Sequence, residues 1–205
     1  MSLRLNKYLK DLRREAHRFE CTDINNNICT SFWGRNQRRF ICFIPSLILV
    51  WLLDKGFTSD FVAYASSALS ILIGLFTTSI IFILDKYQSI DLEQANSREK
   101  LWDTQAYNYT KQFAYITGYS IVLCLFTLVF LSFSALFEDF FSIDISLYYL
   151  DLKKLDIISL SNFLCIIVVI FQRLMIFYWL ASIVYNTLYV ISSMVKYMIV
   201  KIERK

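Results

Sequence analysis

The chain has 205 residues, of which 57% are apolar, and its 21 basic and 17 acidic residues give a net charge of +4. Its 18 Phe and 13 Tyr stand against only four Gly and one Pro. This composition excludes a loop-rich soluble globule and indicates long, uninterrupted helices. Because the net charge is small, the distribution of the basic residues along the chain is more informative than their number.

Residues 1–39 are predicted to form a basic cytosolic segment that contains an amphipathic helix. Apolar side chains recur at helical spacing from Leu5 to Phe19, with basic side chains between them. Such a helix either binds an anionic membrane surface or a partner protein, or packs its apolar side on the rest of the chain. The stretch from Asp23 to Arg35 is predicted to be a loop. The candidate binding residues of the helix are Lys7, Lys10, Arg13, Arg14 and Arg18.

Three apolar stretches follow, and each predicts a transmembrane helix. The first, residues 40–53, is short and has Pro45 near its start, where a proline is tolerated. The second, residues 61–84, and the third, residues 113–137, reach the roughly 20 residues that cross about 30 Å of hydrocarbon.

A fourth apolar stretch, residues 157–195, is interrupted only by Gln172 and Arg173. It predicts one helix that crosses the membrane and then projects into the cytoplasm. Two crossings would need a turn near the interruption, and no Gly, Pro or Asn is there to form one.

The basic residues alternate from one side of these stretches to the other. Nine precede the first stretch, four lie in residues 85–112 and four in the C-terminal tail, whereas the other two loops hold one and two. Because basic residues accumulate on the cytoplasmic side, both termini are predicted to be cytoplasmic. We therefore expect an all-α membrane protein of the bacterial inner membrane, with four transmembrane helices in residues 40–205.

Residues 85–112 contain mixed charges at helical spacing and neither Gly nor Pro. They predict that the second and third spans continue as helices into a cytosolic hairpin, to which the C-terminal extension of the fourth helix is added. Trp102 and Tyr107 are aromatics rimmed by charge, a pattern typical of protein interfaces. The alternative is that they pack against the projecting end of the fourth helix.

The sequence contains no pattern that predicts catalysis or metal binding. Its five cysteines form no Cys-x-x-Cys pair, and His17 has no second imidazole to complete a zinc site. A glycine-rich phosphate loop and a nucleophile elbow are also lacking. We expect neither an enzyme nor a cofactor, and no direct binding of nucleic acid.

Polar residues within the predicted spans are the remaining candidates. Arg173 either extends its charge to a membrane interface or serves a pore or a sensing role, because a charge inside a span is costly. Ser182 and Asn186 share one face of the fourth helix, where they either bond to another helix or line a channel around a symmetry axis. Small residues of the second span predict close helix packing, within the chain or with another subunit. These are Ser66, Ser70, Gly74 and Thr78.

The basic N-terminus, the four predicted spans, the charged hairpin and the second-span stretch from Leu69 to Lys86 resemble small membrane components of bacterial anti-phage systems. KwaA of the Kiwa system is the nearest such family, and the membrane accessory protein of type VI-B CRISPR loci is second. The resemblance implies a membrane homo-oligomer, for example a tetramer, that senses phage attack and recruits a cytosolic effector. It is a likeness of architecture, so no functional residue is carried over from it. The alternative function is a homo-oligomeric channel that depolarises the membrane.

Overall fold

A computed structural model describes residues 5–20, 22, 32–88, 97–144 and 157–203. In these ranges the protein is all-α, as the sequence predicts. The helices are α1 (Leu5–Glu20), α2 (Phe32–Leu52), α3 (Ser59–Gln88), α4 (Ser97–Leu136), α5 (Glu138–Phe141) and α6 (Ile157–Glu203).

Three of the helices are long and apolar enough to cross a membrane, through residues 59–83 of α3, 104–136 of α4 and 163–195 of α6. Their surfaces fit a lipid environment, because large apolar side chains point outward along all of them. Tyr64 is 77% exposed and Leu136 is 74% exposed. Soluble monomers rarely expose apolar surface on this scale. The chain is therefore a membrane protein by the length and composition of its helices.

The remaining predicted crossing, residues 40–53, falls on α2, which is not among these three helices. Its apolar part, from Phe40 to Leu52, is about 20 Å long at about 1.5 Å per residue, whereas the hydrocarbon core is about 30 Å thick. Four crossings and cytoplasmic termini therefore stay predictions.

The observed start of α2 differs from two predictions, the end of the preceding loop and the position of Pro45 in the helix. The helix begins at Phe32, so the loop predicted to continue to Arg35 is wrong for residues 32–35. Pro45 consequently lies inside α2 and not near its start. A proline inside a helix removes one backbone hydrogen bond, a loss that membrane helices tolerate when nearby groups compensate. Beside it, the Ser46 hydroxyl donates to the Cys42 carbonyl at 2.6 Å.

The helices pack in the order α3, α4, α6, α2, and α1 lies on α4. Because α4 contacts α1, α3 and α6, it is the central element. One apolar cluster joins α3, α4 and α6. A second cluster lies where α1 meets the bundle and adds residues of α3, α4 and α6. The first cluster includes Leu69, Phe76, Leu123, Leu131, Ile176 and Ile183, and the second contains Phe19, Ile83, Phe113, Ile116 and Val190.

The last long helix, α6, runs without a break through Gln172 and Arg173, in agreement with the prediction of one helix. The predicted hairpin also begins as helices, because α3 continues to Gln88 and α4 begins at Ser97. The residues between those two positions lie outside the described ranges.

Candidate functional site

Arg173 joins two loops at one end of the bundle. Its side chain is fully buried, and its guanidinium donates to three backbone carbonyls. These are Leu53 O at 3.2 Å, Phe141 O at 3.0 Å and Ile143 O at 2.8 Å. Leu53 follows α2, whereas the other two acceptors lie at the end of α5 and just after it. The arginine thus satisfies carbonyls that the helix ends leave without intrahelical partners.

The two loops also touch each other directly, at Gly56. A Cβ atom at this position would lie 2.6 Å from both Phe141 O and Ser142 Cα. Only glycine allows so close an approach of two backbones. We call this contact, formed by Arg173, Gly56 and the carbonyls of Leu53, Phe141 and Ile143, the arginine junction. It lies where α2 and α4 end.

Polar side chains also line the contact between α4 and α6. Asn186 donates from Nδ2 to Ser120 Oγ at 2.9 Å, and Gln172 Nε2 donates to Ser134 Oγ. Asn186 and Ser182 are each 1% exposed. Both therefore face the interior of this chain and not its outer surface. Of the two, Asn186 forms a hydrogen bond to another helix.

Not every polar atom of this contact has a partner. Thr117 Oγ1, Ser182 Oγ and Asn186 Oδ1 are buried and have no hydrogen-bond partner in the described part of the chain. Buried polar groups without partners are costly, and water commonly satisfies such groups.

The opposite end of the bundle is organised around Glu20, the last residue of α1. Its Oε1 accepts from Arg38 Nη1 of α2, and its Oε2 lies 3.2 Å from His17 Nδ1. The Arg38 guanidinium also lies 5.5 Å from the centre of the Tyr119 ring of α4, a cation–π distance. Arg38 is only 7% exposed, so α1, α2 and α4 meet around a buried charge that is paired.

Burial and the charges of Arg38, Arg13 and Arg39, in that order, lower the pKa of His17 from 6.5 to about 4. The imidazole is therefore neutral at pH 7, and its contact with Glu20 is a hydrogen bond from Nδ1–H and not an ion pair. Arg38, Arg13 and Arg39 are therefore all close enough to this imidazole for their charges to act on it.

The apolar side of α1 packs on the bundle, as one of the two interpretations of the amphipathic helix expected. Ala16 and Phe19 are buried, and the Phe19 ring lies 5.5 Å from that of Tyr115. Just beyond the helix, Thr22 O accepts from Gln112 Nε2 at 3.4 Å. The five predicted binding cations, from Lys7 to Arg18, are all on the exposed side.

The stripe of small residues on α3 faces away from the core. A Cβ atom at Gly74 would meet nothing within 4 Å, and Ser70 and Thr78 are exposed while Ser66 is half-buried. Their hydroxyls donate to carbonyls of their own helix, for example Thr78 Oγ1 to Gly74 O at 3.0 Å. Within the described residues this stripe therefore takes little part in packing inside the chain, and a contact with another subunit stays a prediction.

The predicted aromatic pair of the hairpin is only partly described. Tyr107 is half-buried on α4, whereas Trp102 lies on the same helix with a side chain outside the description. Cys42, Cys124 and Cys165 are free thiols. Within the described ranges no group of His, Cys, Asp and Glu could hold a metal ion.

Sequence reasoning missed the residues that connect the elements, which are Glu20, Arg38, Gly56 and Tyr119. A signal for Arg38 does exist. Arg38, Cys42 and Ser46 recur every four residues and are the buried positions among residues 36–52 of α2, a polar and small stripe on an otherwise apolar stretch. For Gly56 no sequence signal identifies the loop against which it packs.

No family model, curated protein or solved structure matches this chain.

Loss of the arginine junction is expected to destabilise the fold. Arg173→Met leaves three carbonyls without donors, and each unpaired buried group costs about 1–3 kcal/mol. We expect the melting temperature in detergent to fall by about 6–12 °C, since about 3 kcal/mol corresponds to such a shift for a chain of this size. Arg173→Lys should be nearly as unstable, because an ammonium group lacks the planar fork that reaches separate acceptors.

Arg14→Met is the matched control, because the Arg14 side chain is 72% exposed. Gly56→Ala affects the same junction without changing a charge and should also lower the melting temperature. If Arg173→Lys were as stable as the native protein, a charge extended to the interface would suffice and the junction would not matter.

The environment of His17 makes the attachment of α1 sensitive to acid. Its pKa is lowered on folding, so between pH 6.5 and about 4 the unfolded chain binds more protons than the folded chain. The contribution of His17 to stability is complete above pH 6.5 and is lost as the pH falls towards 4. The native protein should therefore exceed His17→Gln in melting temperature by more at pH 7 than at pH 5. An equal difference at both pH values would contradict this assignment.

Proposed function

We propose that this chain is a membrane-embedded anchor that recruits a cytosolic effector with an acidic surface through the exposed cations of α1. The observation that carries the proposal is that α1 is fixed on the bundle by its apolar side while five cations point outward. A helix attached in this way presents charge in a constant orientation, which steers a partner of opposite charge.

The five cations differ in how available they are. Arg14 lies near Asp11 and Glu15, and Arg18 lies 3.6 Å from Glu15. By contrast, no carboxylate among the described residues lies within ion-pair distance of Lys7, Lys10 or Arg13. Exposed ion pairs contribute little to stability, so a carboxylate of a partner can replace Asp11 or Glu15 in these pairs. The three unpaired cations are the first that a partner would meet.

The proposed setting is a bacterial anti-phage defence complex in the inner membrane, with both termini in the cytoplasm. The support for it is the likeness of architecture to small membrane components of anti-phage systems, together with the alternation of basic residues along the chain. In this setting α1 and the helical extensions of α3, α4 and α6 would form the cytosolic docking surface, and detection of phage attack would reach the effector through them.

A second candidate is a homo-oligomeric channel, and the polar contact between α4 and α6 is the observation that favours it. The orphaned atoms of Thr117, Ser182 and Asn186 provide a polar interior. That contact is enclosed within one chain, however, and Asn186 already bonds to Ser120. A pore at a symmetry axis needs polar residues on the outer surface of the chain, and the contact between α4 and α6 does not supply them, so we favour the anchor.

Charge reversal on α1 tests recruitment. The triple variant Lys7→Glu, Lys10→Glu, Arg13→Glu should lose the cytosolic protein that copurifies with the native chain from cells carrying the native operon. Like charges opposed across an interface cost several kcal/mol, so retention should fall at least about tenfold. The measurement is the composition of the complex in mild detergent.

The matched control compares single reversals of exposed cations at the two ends of the bundle, Arg13→Glu and Lys55→Glu. Only Arg13→Glu should weaken retention. If no protein copurifies with the native chain, or if the triple variant retains it unchanged, the anchor is wrong. An ionic conductance that Asn186→Leu abolishes would then favour the channel.

The exposed stripe on α3 provides a test of the proposed homo-oligomer. Gly74→Leu should convert an oligomer in mild detergent to monomers, since a bulky side chain would separate helices that meet at small residues. It should leave the melting temperature of the monomer unchanged, because the space around Gly74 is open. Ala68→Leu, about 120° around the same helix, is the control that should not alter the mass. A monomeric native protein would overturn the proposal of an oligomer.

A further inference from the structure

A groove of about 440 Å³ runs along α2 where it lies beside α6. It is lined by Asn36, Arg39, Phe40 and Phe43 of α2 and by Tyr178 of α6. The four residues of α2 follow the spacing i, i+3, i+4, i+7 and therefore share one face of that helix. We call this space the α2 groove.

The α2 groove changes from polar to apolar along its length. Asn36 and Arg39 form the end towards the beginning of α2, where Arg39 Nη1 donates to Asn36 Oδ1 at 3.4 Å. Phe40, Phe43 and Tyr178 line the remainder with aromatic rings. Residues 36 and 43 are about 10 Å apart along the helix axis. Polar and apolar ligand groups would thus be separated by about the distance between a phospholipid headgroup and the upper part of its acyl chains.

In the described ranges no carboxylate neutralises the charge of the polar end. Arg38, the next residue, is paired with Glu20. Arg39 is exposed, and no carboxylate in the described ranges lies within ion-pair distance of it. The fork of an arginine suits the oxygens of a phosphate group.

We propose that the α2 groove binds one anionic phospholipid, with its phosphate on Arg39 and Asn36 and an acyl chain along Phe40, Phe43 and Tyr178. The aromatic lining selects for an acyl chain, because a free phosphate would use only the polar end. The uncompensated charge of Arg39 selects an anionic headgroup over a zwitterionic one. This site is independent of effector recruitment and requires only that the chain lies in a membrane.

The test is native mass spectrometry of the full-length protein, purified in mild detergent and titrated with phosphatidylglycerol or phosphatidylcholine. The native protein is expected to retain one phosphatidylglycerol and to bind it at least about tenfold more tightly than phosphatidylcholine, since a charged hydrogen bond contributes about 1.5–3 kcal/mol. Arg39→Gln should lose this preference. Arg14→Gln, which removes the same charge from an exposed site on α1, should keep it.

Phe43→Trp tests the apolar part without altering charge. Phe43 is 42% exposed, so a larger ring is tolerated by the fold but occupies the groove, and phosphatidylglycerol should bind more weakly. A melting temperature equal to that of the native protein verifies that each variant is folded.

Three results would overturn the proposal. Equal binding of the two lipids would indicate only the lipid layer that surrounds any membrane protein. Unchanged binding by Arg39→Gln would place the lipid elsewhere, and α1 would be the site if Arg14→Gln were the weaker binder. Equally strong competition by glycerol 3-phosphate, which has no acyl chain, would show a phosphate site and not a lipid site.

Discussion

The contact between α4 and α6 is the interaction on which the remaining structure depends. The helix α4 contacts α1 and α3, whereas α6 holds α2, so this contact links the helices packed on α4 to the helix packed on α6. Within lipid no hydrophobic effect drives helices together, and packing and hydrogen bonds have to replace it. The bonds from Asn186 to Ser120 and from Gln172 to Ser134 meet this requirement near the two ends of the contact.

A buried arginine lies at each end of the bundle, and the two have different partners. At one end, Arg173 is fully buried and its acceptors are backbone carbonyls, so its charge is spread over the dipoles of two loops. At the other end, Arg38 is balanced by the carboxylate of Glu20 and the ring of Tyr119. The first arrangement holds two loops together and leaves no part of the arginine exposed. The second attaches a separate helix whose outer side remains free to bind.

Function is therefore expected at the end that carries α1. The exposed cations of α1, the polar end of the α2 groove and the pair of Arg38 with Glu20 all lie at this end. A soluble acidic partner and an anionic lipid would both be attracted to these positive charges, but at different residues. The outer cations would meet the partner, and Arg39 would meet the lipid.

Composition and periodicity were sufficient to predict the helices. The scarcity of Gly and Pro predicted long helices, and α6 is indeed unbroken through Gln172 and Arg173. The spacing of apolar residues between Leu5 and Phe19 likewise predicted α1. These are properties of single segments, and a segment's own pattern determines whether it forms a helix and how long that helix is.

Only the tertiary structure decided which side of each helix is buried. The stripe around Gly74 has the pattern of a packing surface, yet it faces outward, because larger residues such as Leu69 and Phe76 on the other side of α3 fill the core. Similarly, nothing in the sequence indicated that Arg38 would pair with Glu20 or that Gly56 would meet Phe141. Such contacts join residues far apart in the chain, and their distance depends on how helices pack together and not on the pattern within either one.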